Sequence, residues 1–327
     1  PGLFNSTIID GTAGTLTLDY ATDAPGISLF TVRATDSGTD FVEAAFQVTV
    51  REFQQSKSVA GDSGEADWLG YSVAIHGDFM VAGAWRDNDL GDDSGSAYVF
   101  QRRPGLNDAW DQVAKLNASD GAAGDSFGRS VAIEGDTVVV GADRNDDAGD
   151  SSGSVYVFQR NQGGPDQWEQ VVKLVAADAT PGSQFGWSVS LSGDTLVVGS
   201  FQDDISGRPD AGSAYIFERN QPSENDWGQS RKLIALDGAS DDWFGASVSV
   251  NGDLVLIGAP ADADNGDDSG SAYLFGRNQS GGGQWGLVRK LLASDGSADD
   301  WFGWSVDIAG GFAAIGAYRD DGAAVDS

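Results

Sequence analysis

Short runs of hydrophobic and β-branched residues recur along most of the chain, separated by clusters of Gly, Asp, Asn and Ser. In one stretch these runs fall at 130–133, 137–141, 154–158 and 168–174. Alternating apolar positions between turn residues predict β-strands, and the 3.6-residue period of a helix is absent. The pattern therefore predicts four short strands in this stretch, here called A, B, C and D in chain order.

The same succession occurs five times, and each occurrence opens with Phe-Gly or, once, Leu-Gly. Successive openings are 58 or 59 residues apart, and the fifth repeat stops where strand C would begin. The openings are Leu69-Gly70, Phe127-Gly128, Phe185-Gly186, Phe244-Gly245 and Phe302-Gly303. Four antiparallel strands per repeat of this length are typical of a β-propeller blade. We therefore predict an all-β protein, a β-propeller of four-stranded antiparallel blades, with five repeat units visible and the last incomplete.

The Phe-Gly opening, the Ser-Val-Ala strand and the Val-Gly-Ala close, clearest in 115–142, resemble FG-GAP repeats. Such repeats build the propeller of integrin α subunits and of many bacterial surface proteins. The resemblance covers about residues 53–327 and implies a ring with further blades beyond Ser327. Residues 55–62 align with 113–120, so we expect a D strand ahead of the first A strand, where it would complete the last blade of the ring.

Residues 1–52 do not match the repeat. Residues 27–36 and 43–50 alternate in the manner of half-buried strands. They resemble the end of a cadherin-like or immunoglobulin-like domain of bacterial secreted proteins. We therefore expect a short β-sandwich-like segment at 1–52, followed by the propeller at 53–327.

Because strand direction alternates, the D–A and B–C loops should share one face, and these loops are strongly acidic. Calcium takes six to eight oxygen ligands, so the B–C loops are candidate calcium sites, and the stretch 262–268 is the best of them. The alternative is that Asp, Asn and Gly serve as turn residues. The A–B link, where calcium-binding integrin repeats carry their acidic motif, is a bare turn here. The candidate ligands are Asp87, Asp89, Asp92, Asp146, Asp147, Asp150, Asp203, Asp204, Asp262, Asp264, Asp267 and Asp268.

The tryptophans fall into two groups. One group begins each D strand, where packing between blades is expected: Trp110, Trp168, Trp227 and Trp285. The other group flanks the Phe-Gly motif on or near the acidic face: Trp68, Trp187, Trp243, Trp301 and Trp304. The last four of these are the candidate ligand-binding residues. Exposed aromatic rings beside Asp are a common platform for sugars, and the alternative for this second group is again packing.

Composition narrows the function classes. The net charge of −31 argues against nucleic acid as a partner and suits cation binding or strong hydration. The absence of Cys excludes disulfides and thiolate nucleophiles, and the single histidine, His76, removes the usual general base. No apolar run approaches the roughly 20 residues of a membrane helix. No nucleophile elbow or phosphate loop is present, so we expect no enzyme. A carboxylate-based glycan-active enzyme is the remaining catalytic alternative.

These observations predict an extracellular binding or adhesion module. Its acidic loop face would hold a glycan or protein partner, with Ca²⁺ as the candidate cofactor. The alternative is a structural bead of a surface filament or matrix protein, whose partners are other copies or domains of the same long protein. Because the chain starts at Pro1 and stops within a repeat, we interpret it as part of a longer secreted protein.

Overall fold

The computed structural model describes residues 57–320, except 63, 65, 104–108, 221–225 and 280, together with the backbone of four strands between residues 4 and 50. All the elements in these residues are β-strands. The chain divides into two compact units, Pro1–Lys57 and Ser58–Ser327. The described residues include no helix that is long and apolar enough to span a bilayer.

The first unit contains two antiparallel strand pairs, β1 with β2 and β3 with β4. Their bounds are β1 Phe4–Asp10, β2 Thr15–Tyr20, β3 Gly26–Thr35 and β4 Phe41–Val50. The strands expected at 27–36 and 43–50 correspond to β3 and β4. The cadherin-like or immunoglobulin-like character of this segment stays a prediction.

The second unit is built from blades whose strands pair in the order A-B-C-D, and the fifth has only A and B in the described residues. Blade 1 is β5 Val73–His76, β6 Phe79–Ala84, β7 Ser96–Arg103 and β8 Ala109–Leu116; blade 2 is β9 Ser130–Glu134, β10 Thr137–Ala142, β11 Ser154–Arg160 and β12 Trp168–Leu174. Blade 3 is β13 Ser188–Ser192, β14 Thr195–Ser200, β15 Ser213–Arg219 and β16 Trp227–Leu233; blade 4 is β17 Ser247–Asn251, β18 Leu254–Ala259, β19 Ser271–Gly276 and β20 Gly286–Leu291; blade 5 is β21 Phe302–Ala309 and β22 Phe312–Ala317. The four strands predicted in blade 2 are confirmed to within two residues at each end.

The A strands of all five blades converge on one central space. Each A strand lies beside the A strand of the next blade, from β5 through β9, β13 and β17 to β21. Together they line a cavity of about 440 Å³, to which each contributes three or four residues: 73–75, 131–133, 189–191, 248–251 and 306–308. The predicted β-propeller is therefore confirmed.

The Phe-Gly motif joins each blade to the one before it. Phe185 is fully buried, and its ring packs edge-on against Tyr215 with centroids 5.4 Å apart. Gly186 has φ +95°, and a Cβ there would lie 2.6 Å from the carbonyl oxygen of Ser154 in the preceding blade. The Ser130 hydroxyl donates to the Gly186 carbonyl at 2.7 Å, so strand A of one blade holds the motif of the next. The same bond recurs at Ser72–Gly128, Ser188–Gly245 and Ser247–Gly303.

The tryptophans of the D strands pack between the blades, as predicted. Trp168, Trp227 and Trp285 are buried in hydrophobic clusters that join neighbouring blades, and Trp110 is half-buried. These rings fill the outer part of the interface between sheets, where a large apolar surface contributes most to stability.

The D strand expected ahead of the first A strand lies mainly outside the described residues. Of the positions that align with the end of a D strand, only Lys57 and Ser58 are described, and they form no strand. Each C strand in the described residues pairs with the D strand of its own blade. The end of the segment still takes the place of a D–A loop. The Gly61 N–H donates to Gln112 Oε1 at 2.8 Å, as Ser119 donates to Gln170 and Ala177 to Gln229 in the next two blades.

Candidate functional site

The acidic loops predicted to hold calcium contact a lysine ammonium instead. In blade 4, Asp262 is only 3% exposed, accepts a hydrogen bond from the Tyr273 hydroxyl at 2.7 Å, and lies 2.8 Å from Lys290 Nζ. Lys290 also pairs with Asp264 at 2.7 Å and with Asp237, from the preceding D–A loop, at 2.9 Å. The ammonium therefore occupies the position among these carboxylates that a metal ion would need.

The same cluster recurs in every complete blade, always with a lysine on strand D and a tyrosine on strand C. Its members in the other blades are Lys115 with Asp62, Asp87, Asp89 and Tyr98; Lys173 with Asp120, Asp147, Asn145 and Tyr156; and Lys232 with Asp178, Asp203 and Tyr215. Each cluster ties the preceding D–A loop and the B–C loop to the outer strand of the blade.

The Lys290 ammonium favours the ionised form of Asp237. Burial alone would raise the pKa of Asp237, but the bonds from Lys290 and Tyr273 outweigh it and hold that pKa below its usual range. Burial alone would lower the pKa of Lys290, but its bonds to three aspartates outweigh burial and raise that pKa above its usual range. The pair therefore stabilises the fold at neutral pH, and this contribution is lost as the pH falls through the depressed pKa of Asp237.

The remaining predicted calcium ligands act in turns. Asp146 accepts a hydrogen bond from the Ser151 N–H at 2.8 Å, and Asp204 accepts one from the Asp210 N–H at 3.0 Å. The backbone carbonyls of Asp92, Asp267 and Asp268 accept hydrogen bonds from N–H groups of the following D–A loop. The Asp150 carboxylate accepts a hydrogen bond from the Ser151 hydroxyl. No group of three or more acidic or histidine side chains in the described part of the chain is arranged to hold a metal. In the described residues, lysines and turn N–H groups engage several of the candidate carboxylates, and calcium binding by these loops stays a prediction.

Aromatic residues gather on the same face at three recurring positions: just before the Phe-Gly motif, just after it, and at the start of the B–C loop. These positions lie at the ends of strands A and B, close to the central space, so residues of successive blades are neighbours. We call the resulting set the aromatic arc: Trp68, Tyr71 and Trp85 from blade 1, Trp187 and Phe201 from blade 3, Trp243 from blade 4, and Trp301, Trp304 and Tyr318 from blade 5.

Four predicted ligand-binding tryptophans come together in one half of this arc. Ring centroids are 4.3 Å apart for Trp187 and Phe201, 5.9 Å for Phe201 and Trp243, 5.7 Å for Trp243 and Trp301, and 5.2 Å for Trp301 and Trp304. With Gln202 and Ala246 they line an opening of about 360 Å³, here called the aromatic cleft. The sequence did not identify Phe201, which is buried at its base between two tryptophans.

Arginines lie over rings in both halves of the arc. The Arg86 guanidinium lies over Trp68 at 4.5 Å and over Trp85 at 4.7 Å. Arg129 of blade 2 lies over Trp187 at 4.0 Å and over Tyr71 at 4.7 Å, and so bridges blades 1 and 3. At the far end, Arg319 lies over Trp301 at 4.0 Å. Aromatic rings and guanidinium groups thus alternate across the face.

Blade 2 places a carboxylate where blades 1, 3 and 5 have an aromatic ring. Asp143 is 1% exposed, and its Oδ1 has no hydrogen-bond partner. Burial raises the pKa of Asp143 to about 6, although the charges of Arg129 and Arg144 act in the opposite direction. At neutral pH this carboxylate is therefore ionised at an energetic cost.

Replacing Asp143 by asparagine should stabilise the fold at neutral pH. Burial raises the pKa of Asp143 from its usual 3.8 to about 6 in the folded state, so ionisation costs about 2–3 kcal/mol at pH 7.5. Below about pH 4 the carboxyl is protonated in the folded and unfolded states alike, and the gain should vanish. Urea unfolding of Asp143→Asn and of the exposed control Asp295→Asn, at both pH values, measures this. A variant that is less stable than the parent at pH 7.5 contradicts it.

A known repeat family matches five segments of the chain. The family described as FG-GAP repeat matches residues 53–100, 110–158, 168–217, 227–275 and 285–327. The chain matches no curated protein. Among solved structures, the periplasmic gluconolactonase PpgL of Pseudomonas aeruginosa is similar, with 16% identity, a TM-score of 0.46, and coverage of 89% of this chain and 77% of that chain. A likeness at this level carries no inference about activity.

Proposed function

Because the chain belongs to the FG-GAP repeat family, whose propeller fold suits a binding or structural module, we propose that it is an extracellular binding module. Its binding surface is the aromatic cleft, and its partner is a glycan or a protein outside the cell. The observation that carries the proposal is the convergence of Trp187, Trp243, Trp301 and Trp304, from three blades, on one opening.

Binding is favoured over a purely structural role by the contrast between the two groups of tryptophans. The buried D-strand rings, such as Trp285 at 2% exposure, already serve packing. In the cleft, Trp304 is 39% exposed, and Trp187, Trp243 and Trp301 are half-buried. An aromatic patch that faces solvent and is rimmed by polar loops is the usual mark of an interaction site.

We propose no catalytic role. A glycan-active enzyme needs a carboxyl group with a raised pKa within reach of the substrate. Hydrogen bonds to Lys173 and Tyr156 outweigh burial and hold the pKa of Asp120, on the acidic face, below its usual range. Burial raises the pKa of four aspartates in the described residues, but none of them lines the cleft: Asp125, Asp143, Asp210 and Asp242.

Replacing Trp243 by alanine should abolish partner binding, because this ring forms the centre of the cleft. Truncating a central aromatic residue commonly weakens binding by at least about tenfold. Trp68→Ala is the matched control, since Trp68 occupies the same place before the Leu-Gly opening of blade 1 but lies outside the cleft. A glycan array and a pull-down from cell-surface extract, each with both variants, supply the measurement.

Loss of the captured partner in Trp243→Ala, with retention in Trp68→Ala, supports the proposal. The array separates a glycan partner from a protein partner. Equal binding by parent and Trp243→Ala would contradict it, and capture of nothing but copies of the chain itself would favour the structural bead. Circular dichroism of both variants confirms that each is folded.

A further inference from the structure

We infer that the aromatic cleft binds an alkylammonium group. The inference rests on the proposed function, because it names the chemical group that the cleft receives. It is carried by the angles between neighbouring rings of the cleft, by the cations that lie over other rings of the aromatic arc, and by the charge of the protein.

Two of the four neighbouring ring pairs in the cleft are nearly perpendicular, and the other two, Trp187 with Phe201 and Trp301 with Trp304, are tilted at 44° and 35°. The planes of Phe201 and Trp243 meet at 88°, and those of Trp243 and Trp301 meet at 85°. A sugar ring stacks best on one flat aromatic face, whereas a compact cation gains from several ring faces turned toward it. A methylated ammonium is attracted by the negative face of each ring, and such aromatic cages are the best-known use of this interaction.

The rest of the aromatic arc shows that cations occupy such positions in this protein. Arg86 lies over two tryptophans and Arg129 over rings of two blades. In the cleft, Arg129 lies over Trp187 and Arg319 over Trp301, but neither arginine is among the lining residues. Among the described residues, no lysine or arginine lies over Phe201 or Trp243, so the central walls are left for an external cation.

The electrostatic field of the protein also favours a positively charged ligand. Fifty acidic residues against nineteen basic ones give a net charge of −31, which concentrates cations near the surface. A neutral sugar gains nothing from this field, and an anion is repelled by it. Salt screens the field, so the contribution should weaken as ionic strength rises.

Choline and its uncharged analogue 3,3-dimethylbutan-1-ol, which has the same shape, make a direct test. We expect choline to quench or shift the tryptophan fluorescence and to bind at least about tenfold more tightly than the alcohol. Trp243→Ala should abolish choline binding, Trp243→Phe should restore part of it, and Trp68→Ala should leave it unchanged. Added sodium chloride should weaken binding of choline and not of the alcohol.

Two further probes distinguish the source of the group. Phosphocholine represents a polymer or lipid headgroup, and its phosphate could meet Arg129 or Arg319; a peptide with trimethyllysine represents a protein partner. Tighter binding of either probe than of choline supports the inference and assigns the source. Equal affinity for choline and the alcohol, or no response to any of the ammonium probes, would overturn the inference. The array and pull-down would still test the proposed function, so the two failures can be told apart.

Discussion

Replacing Lys290 by methionine should lower the free energy of unfolding by about 3–5 kcal/mol at pH 7, because the change leaves a buried charge unpaired. Asp262 is 3% exposed, and Lys290 is the cation beside it, at 2.8 Å. Methionine preserves the apolar stem that packs near Tyr273 and removes only the ammonium. Urea unfolding followed by tryptophan fluorescence measures the loss. All ten tryptophans lie between residues 68 and 304, so the signal reports on the propeller unit alone.

The pH dependence provides a second, independent readout. The pKa of Asp237 is held low by Lys290, so its stabilising contribution is present above the usual carboxyl pKa and fades as the pH falls through the depressed value. The stability gap between parent and Lys290→Met should therefore narrow below about pH 4. Arg289→Met, an exposed neighbour on the same strand, should change little, and Lys290→Met combined with Asp262→Asn should recover part of the loss. A loss below about 1 kcal/mol for Lys290→Met would show that the cluster is not buried as described.

Truncating Phe185 to alanine should cost about 3–5 kcal/mol, because it empties the contact between blades 2 and 3. The ring has no exposed surface and packs against Tyr215 and Phe217, with centroids 5.4 and 5.8 Å away. The cavity cannot close easily, since Gly186 and Ser154 hold the two backbones close together. Urea unfolding by tryptophan fluorescence again gives the value.

Phe185→Leu is the matched control, because blade 1 has Leu69 at the equivalent position. That substitution should cost about 1 kcal/mol, as expected for a change that keeps most of the buried volume. If alanine and leucine were equally well tolerated at position 185, the Phe-Gly motif would not join the blades in the way described.

The blades could be predicted because their determinants are local. Alternating apolar residues define each strand, and a Gly-centred turn such as 134–136 sets the hairpin between strands A and B. The burial of the motif phenylalanine follows from the same pattern repeated at a fixed spacing.

The chemistry of the acidic face could not be predicted in the same way. Paired aspartates in the B–C loops resemble metal ligands when considered alone, and the lysine that pairs with them lies on another strand of the blade. A signal was present in the repeat, since every complete blade has a Lys-Leu pair in strand D, at 115, 173, 232 and 290. That recurring cation opposite a recurring carboxylate could have indicated an internal ion pair.

The aromatic cleft was partly predictable. The second group of tryptophans pointed to the correct face, but their meeting depends on how successive blades are placed around the axis. Phe201 and Tyr318 were missed because each stands at the start of a B–C loop, a position held by Asp143 in blade 2 and Pro260 in blade 4. A position that varies between repeats carries no periodic signal, although it is where one blade can differ in function from the next.

We propose that one cleft, shared by blades 3, 4 and 5, is the ligand-binding surface of the propeller. Fluorine NMR of 5-fluorotryptophan-labelled protein tests this proposal, with each signal assigned by single substitution and the protein titrated with choline and with the partner that the array or pull-down returns. We expect the signals of Trp187, Trp243, Trp301 and Trp304 to move together, while those of Trp168, Trp227 and Trp285 stay in place. Movement confined to the D-strand signals, or no movement at saturating partner, would contradict it.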